Sequence, residues 1–451
     1  MDGHHNPRCP QMRGQFDCSL STFLAVRWKQ SRLSAIHSDR SQHLLCQRDL
    51  TDMEVEIGAS DSDMSRYPVG LKEWIATALQ CAPSEMDIEL IAGDASPRRY
   101  YRVTSLKGFV SLSIGGETRE LPSFIAMVSP ASEDNEAFLR VGAQLAKAGV
   151  RTPAVWAQSL RQGWFLLEDF GDQQLLPVLA SYPDSAAALY QKAFDALVCQ
   201  ISLPCEQADI PRYDSCRLKT EMDVFPEWFL SGLLGIQPDE RLRQCCAMLT
   251  DHLISVFAEQ PTVWVHRDFH SRNLMLLEAN ELGVIDFQDA VLGPITYDPV
   301  SLLKDCYIRW PRAQQLEWLD GYLMQLRGMG VGALSVDVPA PSAEQASRLQ
   351  ALKTRLKEVS PAQFQRWFDL TGLQRHLRVL GVFSRLHLSH QKSTYLADLP
   401  LVVEYVREAL ALMACSHSSV ADFRDWFESD LMPAISEQPW YEVIDEKGWI
   451  V

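Results

Sequence analysis

The sequence lacks the Cys-x-x-Cys spacing of zinc sites and redox dithiols, although it contains 11 cysteines. Cys245 and Cys246 are adjacent, and the other cysteines are scattered along the chain. An odd number of cysteines without ligand spacing is typical of reduced thiols inside the cell. We therefore expect no disulfide framework, no structural zinc and a cytoplasmic location.

An excess of positive charge is also missing. The chain has 42 Lys and Arg residues against 58 Asp and Glu residues, which gives a net charge of -16. Nucleic acids and anionic membranes attract basic surfaces, so neither is an expected partner. No apolar run approaches the ~20 residues of a membrane span. The N-terminal stretch FDCSLSTFLAV contains Asp17 and is followed by no small-residue cleavage site, so we do not interpret it as a signal peptide.

Residues 1–65 show no sustained helical or strand periodicity, and we predict a poorly ordered N-terminal extension there. The sequence as a whole is 47% apolar and 22% charged, as in globular proteins. A length of 451 residues is enough for two or three lobes. The remainder of the chain is therefore expected to fold into more than one lobe.

Residues 66–170 alternate short strand patterns with two helical patterns. The first helical pattern covers residues 71–79, and the second ends at Gly149, a residue type that stops helices. The predicted strands are short, and turn residues separate them; they lie at 87–93, 99–106, 123–130, 154–160 and 163–170. This pattern predicts a small, mainly antiparallel sheet with one inserted helix.

Residues 171–415 are predicted to be mainly helical. Two short apolar strands, VWVH and LGVIDF, interrupt the helices, and residues 331–343 form a linker rich in Pro, Ala and Ser. Residues 416–451 are assigned to a C-terminal extension. The expected helices are at about 184–203, 217–234, 238–259, 312–327, 345–357, 361–388 and 399–414. The fold class is thus α+β, with a small sheet-containing N-lobe joined near residue 170 to a larger helical C-lobe.

The stretch VWVHRDFHSRNLMLL places a dense polar cluster between two apolar runs. In an extended segment His266, Asp268 and His270 would share one face, which suits a metal site. That hypothesis gives no role to Asn273 or to the acidic residue at the end of the strand LGVIDF. A polar turn whose hydrogen bonds are satisfied locally is the other simple interpretation.

Asp268 is followed by Asn273 after five residues and by Asp286 after thirteen more. Phosphoryl transfer requires a carboxylate to accept the proton of the attacking hydroxyl and oxygen ligands to hold magnesium on the phosphates. Asp268 suits the first task, and Asn273 with Asp286 suits the second. A hairpin formed by LMLLEANELGVI would bring both ligands to one pocket. The spacing therefore favours a kinase-like site that uses ATP and Mg²⁺.

The stretches VHRDFHSRNLM and GVIDFQDAVLGPITYDPVSLL resemble the aminoglycoside phosphotransferase and choline kinase superfamily, relatives of the protein kinases. The resemblance covers residues 70–415 and implies a bilobal protein-kinase-like fold with ATP between the lobes. It implies that Asp268 is the catalytic base and that Asn273 and Asp286 are the magnesium ligands. It also implies that LLEDFGD is the hinge, where backbone groups of Glu168, Asp169 and Phe170 contact the adenine.

Other stretches resemble one branch of that superfamily, the anomeric sugar kinases of cell-wall recycling, which phosphorylate N-acetylmuramate and N-acetylglucosamine at C1. They are DVFPEWFLSGLLGI, LLKDCYIRWP, LQRHLRVLGVFSRL and YLADLP, all in the predicted helical lobe. The resemblance implies a small sugar and ATP as the partners of a monomeric enzyme. An aromatic platform with polar groups is typical of a sugar site, so the acceptor candidates are Glu227, Trp228, Arg375 and His376. Each also has a structural interpretation, because Trp228 suits a core and Arg375 a surface.

Two features depart from the superfamily pattern. The first hairpin has no repeated glycines, and Ser96, Arg98 and Arg99 are the candidates for phosphate contact there. The strand SFIAMVSP has Met127 near the position of the expected phosphate-binding lysine. Either Arg98 or Arg99 would then replace the lysine, or the nucleotide would be held loosely. An aminoglycoside phosphotransferase and a nucleotide-binding pseudokinase module are the alternative functions.

Asp298, in GPITYDP, is predicted to cap the next helix or to hold the catalytic loop through His266 or Arg267. His266 is expected to brace the loop in the same way. Both residues are therefore assigned to scaffolding rather than to chemistry.

Overall fold

The structure is a computed structural model, and it describes residues 67–91, 97–114, 117–206, 208–328 and 341–443. The predicted N-terminal extension lies outside the described residues, as do Ser96, most of the predicted linker and the last eight residues.

The first part of the described chain contains seven strands and two helices. Five of the strands form one antiparallel sheet in the order β1-β2-β5-β7-β6, and β3 and β4 pair separately as a hairpin. The elements in chain order are α1 (Leu71–Leu79), β1 (Met86–Leu90), β2 (Arg99–Ser105), β3 (Val110–Ile114), β4 (Glu117–Leu121), β5 (Ser123–Val128), α2 (Asn135–Ala148), β6 (Val155–Ser159) and β7 (Trp164–Glu168). The predicted small antiparallel sheet with an inserted helix is confirmed, and the β3–β4 hairpin was not predicted.

The five-stranded sheet is apolar on both faces because two helices cover it. In β5, Phe124 and Ala126 belong to the hydrophobic cluster around α1, whereas Met127 belongs to the cluster that contains α2. This alternation follows from the two-residue period of a strand. Trp74 of α1 makes an edge contact with Trp164 of β7, with ring centroids 5.9 Å apart. The sheet is therefore held from both sides.

Helix α2 has clear start and stop signals. The Asp134 side chain accepts a hydrogen bond from the Ala137 backbone N–H at 2.7 Å, which satisfies one free donor of the first turn. Gly149 ends the helix in the left-handed region at φ 96°, as its position in the sequence predicts. Between these ends, Phe138, Val141 and Leu145 are buried against the sheet.

The rest of the chain is mainly helical, with four short strands. Their bounds are α3 (Leu175–Ser181), α4 (Ala186–Ile201), α5 (Ser215–Val224), α6 (Glu240–Glu259), β8 (Thr262–Val265), β9 (Leu274–Leu276), β10 (Leu282–Val284), β11 (Val291–Pro294), α7 (Tyr297–Leu303), α8 (Arg312–Gly328), α9 (Ala343–Lys357), α10 (Pro361–His390), α11 (Leu399–Met413), α12 (Ser418–Trp426) and α13 (Met432–Ser436). The seven predicted helices are all present, whereas β11, α3, α7, α12 and α13 were not predicted because they are short.

One predicted helix differs from its expected geometry. The pattern over 217–234 predicts a single α-helix, but the structure has α5 followed by a π-helical segment, Phe225–Leu233. Pro226 lies at the start of this segment, where its missing N–H removes one α-helical hydrogen bond. Wider turns of this kind occur mostly as short insertions in α-helices.

Helix α10 is the central element of the helical region. It spans 30 residues, and buried positions occur on all sides of it because α11, α5, α7 and the π-helical segment surround it. Helices α12 and α13 also join this core, since Val420, Phe423 and Ile435 are buried in the same cluster. Among the described residues, no helix is long and apolar enough to cross a membrane.

Gly381 marks the closest approach of α10 to α5. A Cβ atom at this position would lie 2.4 Å from the backbone oxygen of Val224, a distance that real side chains do not tolerate. We expect Gly381→Ala to lower the free energy of unfolding by about 1–3 kcal/mol, as overpacking does elsewhere. Thermal or denaturant unfolding measures the change.

Gly321 of α8 is the matched control, because a Cβ atom added there would have no other atom within 4 Å. Gly321→Ala should raise stability by about 0.5–1 kcal/mol through helix propensity. A Gly381→Ala protein as stable as the parent would show that the two helices separate at little cost.

Candidate active site

The loop between β8 and β9 carries the polar cluster singled out in the sequence. Strands β9 and β10 pair as an antiparallel hairpin, with Val284 opposite Leu274, which confirms the predicted hairpin. Asn273 and Asp286 extend from its two open ends. The Asn273 Nδ2 atom lies 3.4 Å from the Asp286 Oδ2 atom and donates to the Asp268 backbone oxygen at 3.0 Å. The structure therefore brings Asp268, Asn273 and Asp286 together.

The Asp298 carboxylate holds the start of this loop. Its Oδ2 accepts the His266 backbone N–H at 2.7 Å, and its Oδ1 accepts the Arg267 N–H at 2.9 Å. Gln200 donates a further bond to Oδ2 at 2.6 Å. The His266 ring reaches the Ile285 backbone oxygen at 3.0 Å and so ties the loop to the strand that precedes Asp286. The predicted bracing roles of Asp298 and His266 are confirmed.

Two residues of the site have left-handed backbone conformations, which residues other than glycine rarely adopt. Arg267 has φ 78° and Asp286 has φ 63°. Such conformations cost about 1–3 kcal/mol each and persist where neighbouring contacts enforce them. Asp298 holds the Arg267 N–H, and Gln288 donates to Asp286 Oδ1 at 2.7 Å. The backbone strain is therefore located at Arg267, which sets the direction of the loop, and at Asp286, the second acidic residue of the site.

Three arginines surround the Asp268 carboxylate, which is about one third exposed. Burial alone would raise the pKa of Asp268, but the positive charges of Arg378, Arg267 and Arg375 bring it well below its usual value. The Arg375 Nη2 atom lies 4.0 Å from Asp268 Oδ1. Asp268 is therefore ionised at neutral pH and is a weak base.

Glu221 is the carboxylate that balances part of this positive charge. It pairs with Arg267 at 2.6 Å and with Arg378 at 3.3 Å, and it accepts a short hydrogen bond from the Tyr213 hydroxyl. Burial tends to raise the pKa of Glu221, but Arg378 and Arg267 hold it below the usual value. The arginine group beneath the loop is thus fixed in place by a buried anion.

The donor set at Asn273 and Asp286 fits a magnesium ion. Magnesium prefers oxygen ligands and keeps several positions for water and phosphate oxygens, so one carboxylate and one amide oxygen suffice. Burial raises the pKa of Asp286, and the nearby Asp268 charge adds to this effect. A carboxylate with this environment gains most from a bound cation.

The alternative metal site formed by His266, Asp268 and His270 finds no support. His266 bonds to a backbone oxygen, and the His270 ring contacts the edge of Tyr307 at 5.3 Å between centroids. In the described part of the chain, no group of three or more His, Cys, Asp or Glu side chains is arranged to hold a metal.

The predicted phosphate-binding arginines lie in different environments. Arg98 is 2% exposed; its Nε donates to the Ser129 hydroxyl at 3.3 Å, and its Nη2 lies 3.4 Å from Glu133. Arg99 is exposed at the start of β2. Met127 is fully buried in the hydrophobic cluster with α2. Arg98 is therefore the basic residue that forms an ion pair beside α2.

The side chains of the predicted hinge are engaged within the protein. Glu168 forms a double hydrogen bond with Arg151, at 2.7 Å and 2.5 Å. Asp169 accepts from Arg102 at 2.7 Å and from Ser123 at 2.6 Å. Among the described residues, the backbone N–H and C=O of Phe170 make no hydrogen bond. The Glu168 N–H donates to the Ala154 oxygen at 2.8 Å, so the backbone groups that remain for a ligand are those after Glu168.

The four acceptor candidates are not brought together. Glu227 is exposed and Trp228 is half-buried in the π-helical segment, and among the described residues no hydrogen bond, ion pair or ring contact joins either one to the loop that carries Asp268. Arg375 approaches Asp268, whereas the His376 ring stacks on Tyr405 at 4.8 Å and bonds to the Lys304 backbone oxygen at 3.0 Å. Neighbouring residues of a helix point about 100° apart, so one of the pair faces the site and the other the core.

Three residues near Asp268 escaped the sequence analysis: Arg378, Glu221 and Arg272. Arg378 follows Arg375 by three positions, and on a helix this spacing places both on one face. That signal was available in LQRHLRV. Arg272 lies within the polar cluster VWVHRDFHSRNLMLL but was given no role there, and Glu221 gave no signal, since its partners are distant in sequence.

A small antiparallel sheet followed by a helical region that carries Asp268, Asn273 and Asp286 is the arrangement of a kinase-like phosphotransferase. Residues 87–335 match the model of a family described as "Phosphotransferase enzyme family". The chain belongs to this family and is a phosphotransferase.

Curated relatives of the chain have more specific names than the family model. The chain is 35% identical to an N-acetylmuramate/N-acetylglucosamine kinase from Pseudomonas aeruginosa, over 71% of this chain and 82% of the relative. It is 32% identical to a protein of the same name from Neisseria meningitidis, over 75% of this chain and 90% of the relative. Among solved structures, Plasmodium vivax ethanolamine kinase is similar at 10% identity with a TM-score of 0.45, over 72% of this chain and 83% of that one.

His376 generates a testable pH dependence. Burial and the nearby Arg375 charge keep its pKa well below the ordinary value near 6.5. Below pH 6.5 the unfolded chain therefore takes up a proton that the folded protein does not, and stability falls as the pH falls. We expect His376 to contribute a loss of up to about 1.4 kcal/mol per pH unit below 6.5.

His376→Gln keeps a donor for the Lys304 oxygen and removes the titration. Its unfolding free energy should fall less than that of the parent between pH 7.5 and pH 5.5. His390→Gln replaces an exposed histidine of the same helix and should follow the parent. Equal pH slopes for parent and His376→Gln would show that the ring is protonated in the folded state.

Proposed function

We propose that the protein is an ATP-dependent sugar kinase whose acceptor is the anomeric hydroxyl of an N-acetylated amino sugar. The observation that carries the proposal is the convergence of Asp268, Asn273 and Asp286, which the Asn273 side chain links by its contacts with the other two residues. Family membership supports the transfer of phosphate, and the names of the curated relatives support N-acetylmuramate or N-acetylglucosamine as acceptor. Cell-wall recycling is the process in which such an acceptor arises.

Asp268 orients the acceptor hydroxyl and receives its proton as the bond to phosphorus forms. Its lowered pKa makes it a weak base, so proton transfer occurs late, when the hydroxyl has become acidic. An anomeric hydroxyl is more acidic than the other hydroxyls of a sugar, which suits a weak base. When bound, ATP with Mg²⁺ supplies the phosphoryl group and neutralises its charge, and Asn273 and Asp286 would hold the ion.

The nucleotide is proposed to lie between the sheet and the helical region. The backbone groups of Phe170 that have no hydrogen bond within the described chain would read the adenine edge, alongside those of Asp169. Arg98 takes the part of the missing lysine, because it is buried and paired with Glu133 just before α2. Arg99 and Ser96 remain secondary candidates for the phosphates.

The acceptor is proposed to contact Arg375 rather than Glu227 or Trp228, since Arg375 lies next to the base. The arginine group around Asp268 disfavours the alternative of a cationic aminoglycoside acceptor. A pseudokinase module remains the alternative from a different class. Because one chain supplies the base and both proposed metal ligands, we propose a monomer that works in the cytoplasm, where ATP is available.

Replacement of the proposed base tests the mechanism. We expect Asp268→Asn and Asp268→Ala to lower kcat by about 10²- to 10⁴-fold, since general base catalysis contributes effects of this size. ATP binding and the melting temperature should stay close to those of the parent. Turnover is measured by product mass with N-acetylmuramate, N-acetylglucosamine and several aminoglycosides.

Asp251→Asn is the control, because Asp251 is an exposed carboxylate of α6 paired only with Lys219 on the surface. It should retain full activity. An Asp268→Ala enzyme with parental turnover would contradict the proposed base. Stabilisation of the parent by ATP without transfer to any acceptor would favour the pseudokinase module.

The proposed role of Arg98 predicts a selective effect on the nucleotide. Arg98→Gln should raise KM for ATP by about tenfold or more, because a charge-assisted contact to phosphate is lost. KM for the sugar should change much less, and Arg99→Gln should have the smaller effect on ATP. If Arg98→Gln lowered only the melting temperature, Arg98 would be structural.

A further inference from the structure

Arg272 lies in the catalytic loop between the proposed base and the first proposed magnesium ligand. Its guanidinium carbon lies 3.6 Å from the centroid of the Tyr307 ring, a close stacking contact. Its backbone oxygen accepts a hydrogen bond from Gln174 at 3.0 Å. Stacking and backbone anchoring together fix the plane and position of a half-buried cation.

The edges of this guanidinium are available to a ligand. Within the described chain, the Arg272 side chain donates no hydrogen bond and forms no ion pair within 4.0 Å. Arg151 and Arg267, by contrast, are each paired with a carboxylate at 2.5–2.6 Å. A planar guanidinium has five N–H donors in a fork that matches a carboxylate. Arg272 is therefore held in a fixed orientation with its N–H donors available to an anionic group.

The side chain points towards the helical region rather than towards the sheet. Tyr307 follows α7, and the same segment holds the loop through Asp305, which accepts the Ser271 N–H at 2.9 Å. The charge of Arg272 also reaches Asp398, just before α11, where burial raises the pKa to about 6 and Arg272 opposes that rise. Tyr307 and Asp398 belong to the helical region, which also supplies Arg375 beside Asp268, whereas Arg98 and the hinge belong to the sheet.

We propose that Arg272, oriented by Tyr307, binds the carboxylate of an acidic acceptor sugar. The inference rests on the proposed sugar kinase function and adds the group that selects the acceptor. N-acetylmuramate has the ring of N-acetylglucosamine with a lactyl ether at O3 that ends in a carboxylate. C1 and C3 are both bonded to C2, so with the C1 hydroxyl at Asp268 we expect the carboxylate near the loop that also carries Arg272.

The two sugars form a matched substrate pair that isolates the carboxylate. We expect Arg272→Gln to lower the ratio of kcat/KM for N-acetylmuramate to that for N-acetylglucosamine by about 10- to 100-fold, as the loss of a hydrogen-bonded charge predicts. Arg272→Lys keeps the positive charge but not the forked arrangement of donors. Its ratio should therefore lie between that of the parent and that of Arg272→Gln. The ratio of dissociation constants, measured by calorimetry without ATP, should change in the same direction.

Substitutions at the neighbours give effects of known sign. Tyr307→Phe keeps the ring face, since no hydrogen bond of the Tyr307 hydroxyl is found in the described chain, and it should preserve the ratio. Tyr307→Leu removes the platform and should lower the ratio. Asp398→Asn removes a competing negative charge near Arg272 and should raise the ratio at pH 7.5.

Each outcome separates this inference from the function on which it rests. An equal loss for both sugars in Arg272→Gln would overturn it, as would a rise in KM for ATP alone, which would assign Arg272 to the nucleotide phosphates. If the parent binds both sugars but transfers phosphate to neither, the proposed kinase function fails, and the binding ratio still decides the role of Arg272. A parent that binds N-acetylmuramate no more tightly than Arg272→Gln does would also overturn it.

Discussion

The candidate active site depends on one buried carboxylate, Asp298. It accepts the N–H groups of two consecutive residues, His266 and Arg267, and so fixes the backbone at the point where β8 ends and the loop begins. Burial raises the pKa of Asp298, because removing a charged carboxylate from water is unfavourable. Hydrogen bonds from the His266 N–H, the Arg267 N–H and the Gln200 side chain stabilise the charge. The bond to its N–H also holds Arg267 in a left-handed backbone conformation that this residue type rarely adopts. The direction of Asp268 follows from this arrangement.

A second set of contacts connects the chemistry to the sheet. Phe287, directly after Asp286, stacks on Phe138 of α2 with ring centroids 5.2 Å apart, and Phe138 in turn contacts Phe165 of β7. Gly142 is needed for this packing, because a Cβ there would lie 2.9 Å from the Phe287 ring. The strand end that carries the proposed metal ligand is therefore packed against the helix beside Arg98.

The sequence predicted the parts of the site that depend on local spacing. Asp268, Asn273 and Asp286 are separated by a loop and a hairpin, and local turn geometry is enough to bring them together. The surrounding charges depend instead on long-range packing, since Glu221 reaches Arg267 across 46 residues and α10 supplies Arg375 and Arg378 from more than 100 residues away. The sequence pattern also named Arg375 and His376 together, and only the rotation of α10 shows that one faces the base and the other Tyr405. The buried residues of the π-helical segment, Phe225, Phe229 and Leu230, have a spacing that also occurs on one face of an α-helix, so the pattern over 217–234 did not reveal it.

The contacts of Phe138 with Phe287 and Phe165 connect three parts of the molecule. Phe138 stacks on Phe287 and makes an edge contact with Phe165, so ring packing joins α2, the sheet and the Asp286 strand end. Phe170, next to Gly171 at φ 75°, lies where the chain passes from the sheet to the helices and contacts Gly283 of β10 closely. The position of Asp286 is therefore set from two sides, by the Phe138 ring through Phe287 on one side and by the Asn273 and His266 contacts on the other.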